Sequence, residues 1–138
     1  MYKQFVILDP WKEPRDHRQK PFERDIVPLF GPEHRGVDVL NANIVSIPPG
    51  SGTNYHSHVI GELIFIVDGV AEILLGDERF EVLPDSVFWA PEGAFHHVRN
   101  TGSGELKIFT VFAPGMTRDH QKAQVQVKEP PEVTHSLT

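Results

Sequence analysis

The chain has 138 residues, room for one domain, with 39% hydrophobic and 23% charged side chains. Thirteen basic against nineteen acidic residues leave a net charge of −6, which argues against a nucleic-acid partner, because phosphate binding needs a surplus of Lys and Arg on one face. There are no cysteines, so disulfide frameworks, thiolate metal sites and Cys nucleophiles are excluded. Twelve prolines and eleven glycines, dispersed rather than repeated, imply many turns. No apolar run reaches bilayer length, and none of the signal-peptide kind opens the chain. The expectation is a cytoplasmic protein that does not enter a membrane.

Residues 1–34 read as an N-terminal arm. Phe5, Val6, Ile7 and Leu8 could form one short strand. Pro10, Pro14, Pro21, Pro28 and Pro32 then punctuate a charged stretch and argue against a helix or a central strand. Such an arm is either solvated or pairs as a strand with the body or with a partner subunit.

Residues 35–114 read as a body of short strands. Segments 43–47 and 63–67 are followed by Pro48-Pro49-Gly50 and by Asp68-Gly69, the latter a strong hairpin signal. Segment 70–75 ends at a second two-residue turn, Gly76-Asp77, and segment 79–83 alternates so that Phe80 and Val82 point inward. Segments 86–90, 95–100 and 106–112 complete the series, separated by Pro91-Glu92-Gly93 and by Thr101 to Gly104. Short strands at this spacing predict an all-β sandwich or closed barrel. Residues 115–138 form a polar tail, loosely strapped to the surface or disordered, in which Val125 and Val127 could make a brief strand.

The chemistry concentrates between Gly50 and Gly69. His56 and His58 stand two apart, so one strand can aim both imidazoles at one point. Gly61 permits a bend that returns Glu62 to the same place. Two imidazoles and a carboxylate suit first-row divalent metals. Downstream, Pro91, Gly93, His96 and Asn100 follow the spacing P-x-G-x2-H-x3-N. His96 shares a face with Val98, while His97 and Arg99 share the other and are expected at the surface or an interface.

These two patterns resemble the cupin motifs G-x5-H-x-H-x3-E-x6-G and G-x5-P-x-G-x2-H-x3-N. The first is matched at Gly50, His56, His58, Glu62 and Gly69, and the second at all positions but its leading Gly. Asp85 stands there, a residue that tolerates the left-handed backbone a turn demands. The resemblance covers about residues 35–114 and implies a double-stranded β-helix, a jelly-roll barrel with a metal near one mouth. It further implies His56, His58, Glu62 and His96 as ligands of one divalent transition metal (Mn, Fe, Ni or Zn), and a homodimer as the common assembly. Glu62 also admits a different role, as a carboxylate that orients a ligand histidine.

Ile64, Ile66, Phe80, Val82, Val98, Ile108, Thr110 and Phe112 are the candidate substrate-pocket residues. Tyr55, beside His56, is a candidate general base if its strand twists toward the mouth. His17, His34, His120 and His135 fall in the arm and tail and are expected to be solvated. No lumen-facing Arg or Lys is apparent among the barrel strands, which disfavours small dianions and phosphosugars. A neutral or monoanionic, partly apolar molecule that chelates through oxygen fits better. Two functions are compatible with this pattern: a metal-dependent enzyme of the dioxygenase, lyase, isomerase or decarboxylase type, or a module that binds a small molecule without turnover.

Overall fold

The computed structural model describes residues 4–132. A single 3-10 turn at Pro10–Lys12 precedes β1 (Asp16–Arg18) and β2 (Arg24–Phe30). The body contributes β3 (Asn41–Ile47), β4 (His56–Ser57), β5 (Gly61–Asp68), β6 (Ala71–Leu75) and β7 (Glu78–Val82). It continues with β8 (Val87–Ala90), β9 (His96–Asn100) and β10 (Leu106–Ala113). The helix α1 (Arg118–Ala123) and strand β11 (Gln126–Val127) follow. Two antiparallel sheets face each other, one in the order β1-β2-β3-β10-β5-β8 and one in the order β11-β4-β9-β6-β7. From β3 to β6 and again from β7 to β11 the chain crosses from one sheet to the other at every strand, the arrangement of a jelly-roll double-stranded β-helix.

Alternation in the sequence sets the inner face. In β5, Glu62, Ile64 and Ile66 are buried, while Leu63, Phe65 and Val67 lie on the other side. In β10, Leu106, Ile108 and Thr110 are buried in the same rhythm. Ile47, Ile66, Ile73 and Leu106 pack into one end of the barrel and fill it. Ile66 is fully buried there, and Phe80 and Val82 pack against the same cluster. These three residues point inward as expected, but into the packed core instead of the open cavity.

Two turns carry the same sequence signal and serve different ends. Gly76-Asp77 joins β6 and β7, which pair along their length. Asp68-Gly69 does not close a paired hairpin, because β5 and β6 belong to opposite sheets. Gly69 instead makes the corner between them at a φ of 98°, where a Cβ would press on the Glu105 carbonyl and Leu106. Asp85, in place of the usual glycine, holds a φ of 76°, in line with the tolerance of Asp for this region.

The flanking segments are more ordered than their composition implies. β2 pairs with β3 in the large sheet, and Val27 is fully buried. The segment therefore pairs with the body of its own chain. Pro28 is tolerated inside β2 because β1 reaches only Arg24 to Ile26, so no neighbour on that side needs an N–H from Pro28. A register shift between Pro28 and Phe30 marks the same spot. Phe5 to Leu8, the expected strand, form none. In the tail, Thr117 caps α1 by accepting a hydrogen bond from the His120 amide at 3.3 Å. β11 then pairs with β4, with Val127 opposite His56, so the brief strand near Val127 forms and straps the site.

Candidate metal centre

The open end of the barrel holds a cavity of about 390 Å³. His56, His58, Glu62 and His96 meet in it, with one ligand atom from each lying within 4.8 Å of all the others. Strand pairing produces this meeting. His56 on β4 lies opposite His96 on β9. Glu62 enters from β5, opposite Phe112 of β10. The Pro91–Ala94 turn is fastened beneath His58, whose carbonyl accepts the Gly93 amide at 2.8 Å. Gly93 has a φ of 79° there.

The histidines are oriented by the backbone. Nδ1–H of His56 donates to the Asn54 carbonyl at 2.7 Å, that of His58 to Ile60 at 2.7 Å, and that of His96 to Ala94 at 2.9 Å. A ring nitrogen facing a carbonyl must carry the proton, so each neutral ring presents its Nε2 lone pair to the centre. Glu62 Oε1 lies 3.0 Å from His96 Nε2 and 3.3 Å from His58 Nε2. Three imidazole lone pairs and a carboxylate oxygen thus converge in a buried pocket, a donor set that fits a divalent transition metal.

The electrostatics follow from burial and these contacts. Burial pushes His56 down to about 4, and its neighbour His96 adds to the effect. Burial works against ionised Glu62, yet without a metal His58 and His96 can each carry a second proton on Nε2, and the hydrogen bonds these protons donate outweigh burial and hold the carboxyl at about 2. Burial opposes a charged His58 as well, but the hydrogen bond and charge of Glu62 raise it above the ordinary imidazole value. The site therefore keeps an anion at its centre, the charge that a cation would meet.

Of the expected pocket residues, Ile64, Val98, Ile108, Thr110 and Phe112 line this cavity. Phe112 sets the edge of its ring against His58, with centroids 5.1 Å apart. Thr110 is buried and accepts a hydrogen bond from Asn43 Nδ2 at 3.3 Å. Asn43 escaped sequence reasoning because its face on β3 depends on a register that only strand pairing fixes. The Tyr55 hydroxyl is turned away from the cavity and donates to the Gly76 carbonyl at 2.7 Å. Burial, then Asp77, raises its pKa, so both geometry and acidity oppose its use as a general base.

His97 lies on the outer face opposite His96, but it is not at the surface. It is 6% exposed and meets the Tyr55 ring edge-on at 6.0 Å. Asn100 of the second motif also has a fastening role. Its Nδ2 donates to the Ile47 and Gly104 carbonyls, and its Oδ1 accepts the Gly102 amide. His34 borders the cavity, contrary to a purely solvated position, whereas His17 pairs with Asp25 and His120 is exposed. His135 lies outside the described residues.

The expectation of a cation-free pocket is overturned. Arg18, Arg24, Arg118 and Lys122 all border the cavity. None belongs to the motif-bearing strands: β1, β2 and α1 bring them over the mouth.

Comparison with known proteins agrees with this architecture. The family model for the cupin domain matches residues 43–112, and the chain belongs to the cupin family. An uncharacterized protein of Streptomyces coelicolor is 30% identical over 78 residues, which cover 54% of this chain and 70% of the relative. A predicted oxalate decarboxylase from Thermotoga maritima is similar in fold, with a TM-score of 0.71 at 18% identity over 79% of this chain and 99% of that one. The polyketide cyclase RemF from Streptomyces resistomycificus has a TM-score of 0.69 at 16% identity, over 86% of this chain and 92% of that one.

Proposed function

We propose that this cupin is a metal-dependent enzyme acting on a small, partly apolar substrate that chelates through oxygen. The convergence of His56, His58, Glu62 and His96 at the floor of an apolar-walled cavity carries this reading. When bound, a divalent ion such as Mn, Fe, Ni or Zn supplies Lewis acidity or, as Fe, a site for dioxygen chemistry. The three histidines and Glu62 would hold it. The chain does the rest. Backbone carbonyls of Asn54, Ile60 and Ala94 fix the imidazole tautomers. Ile64, Val98, Ile108 and Phe112 keep water from the reacting atoms. The Thr110 hydroxyl, held by Asn43, offers a polar handle on the wall. A volume of about 390 Å³ is at the small end of ligand sites, which sets the substrate size.

The decarboxylase and cyclase of similar fold support an enzymatic reading, while their low identity leaves the reaction to experiment. The test is reconstitution with each ion in turn, followed by a turnover screen on chelating dicarbonyls, diols and hydroxy acids. Turnover that His96→Ala abolishes is expected. Metal-dependent stabilisation by a ligand with no turnover of any compound would instead make the barrel a binding module.

We extend the proposal to a homodimer. β8 is the last strand of the large sheet, and its Val87 and Trp89 are 57% and 50% exposed. Light scattering after chromatography tests this; a monomer at micromolar concentration refutes it.

A further inference from the structure

The charged groups around the cavity mouth are not equivalent. Asp16 touches both Arg18 and Arg118, with its Oδ2 at 3.1 Å from Arg18 Nε. One carboxylate thus offsets much of the charge of two guanidiniums. Lys122 is exposed and solvated. Arg24 differs from all three. It is half-buried on β2, faces the cavity, and among the described residues donates only to the Phe22 carbonyl, at 2.8 Å. Among the described residues no carboxylate pairs with it. A guanidinium so placed, without an anion, is costly. Its chemistry agrees: burial, then the neighbouring Arg18, lowers its pKa to about 10 despite the pull of Glu62.

We propose that the cavity selects a small monocarboxylate, with Arg24 receiving the carboxylate while the oxygen donors at the other end of the molecule face the histidine–glutamate cluster. The inference rests on the metal-dependent reading above and adds the substrate's charge to it. One unpaired guanidinium matches one carboxylate, and its planar fork suits that group. The apolar walls between mouth and floor match a short carbon spacer. Arg24 is then the specificity-determining residue, and Arg18 and Arg118 steer the anion inward from the rim.

The test uses the zinc-loaded full chain and a matched pair of chelators, heptane-2,4-dione and 4,6-dioxoheptanoate, in which a carboxylate replaces the methyl group at the end of a two-carbon spacer. Affinities come from titration calorimetry, and zinc content from elemental mass spectrometry. The carboxylate compound should bind more tightly, on the order of tenfold, as expected for a charge-assisted contact. Arg24→Gln should erase most of that ratio without changing zinc content, which also shows that the variant is folded. Arg24→Lys should keep part of it. Equal affinities in the parent protein, or an unchanged ratio in Arg24→Gln, would overturn the inference and leave the metal reading standing. A chain that takes up no zinc would overturn the metal reading itself, and this one with it.

Discussion

Replacing Asn100 by alanine separates a fastening role from a role in the metal centre. Asn100 is 4% exposed and closes three hydrogen bonds, of 2.9 Å to the Ile47 carbonyl, 2.8 Å to the Gly104 carbonyl and 3.0 Å from the Gly102 amide. Gly104 is exposed and Gly102 half-exposed, so water can replace the lost partner at both. Ile47 is fully buried, so the side-chain bond to its carbonyl has no ready substitute. One stranded acceptor costs about 1–3 kcal/mol, and the two replaceable bonds add roughly 1 kcal/mol together. Asn100→Ala should therefore lose about 2–4 kcal/mol in urea denaturation of the metal-free protein, with an unchanged slope. Metal stoichiometry should stay at the parent value. A loss under about 1 kcal/mol, or a variant that is stable but cannot hold metal, would refute the assignment.

Tyr55→Phe should cost about 0.5–1.5 kcal/mol, the net worth of its hydrogen bond to the exposed Gly76 residue, and leave metal binding and any turnover intact; loss of turnover at full metal content would restore Tyr55 as a catalytic group. His97 is pushed down to about 4 from 6.5, by burial first and then by Arg99, so between those values it is protonated mainly in the unfolded chain. Stability is therefore complete above pH 6.5 and falls as pH drops toward 4. His97→Phe should flatten part of that fall in metal-loaded protein, as read by thermal unfolding against pH. Ile66→Ala, in the packed end of the barrel, should cost about 2–5 kcal/mol with no change in ligand affinity. Truncation after Thr117 removes α1 and the strand pairing with His56. It should speed metal loss to a chelator, and an unchanged rate would show that the strap does not guard the site.

The barrel strands were legible as short runs rich in β-branched and aromatic residues, because the turns between them carry Gly, Pro and Asp. The ligand cluster was legible for a related reason: His56 and His58 share a strand, and the spacing around Glu62 and His96 matched a family pattern. What lay beyond the sequence depended on pairing between distant segments. The prolines of the arm hid β2, whose Pro28 is harmless only because β1 stops short of it. Asp68-Gly69 signalled a hairpin, yet the chain uses the turn to change sheets. Alternation placed His97 opposite His96 correctly, but could not show that Tyr55 covers that face. The cationic rim was missed for the same reason. Arg18, Arg24 and Arg118 come from outside the motif-bearing strands, and nothing local in their sequence says that they fold over the mouth.

The central claim is that four side chains bind a metal, and its most direct test is metal content. Untagged protein, purified without chelator or added metal, should carry close to one divalent transition ion per chain by elemental mass spectrometry. His58→Ala and His96→Ala should each lose it while the β-sheet signature in circular dichroism survives. A parent protein that remains metal-free after reconstitution with Mn, Fe, Ni and Zn in turn, or either variant retaining a full equivalent, would contradict the account.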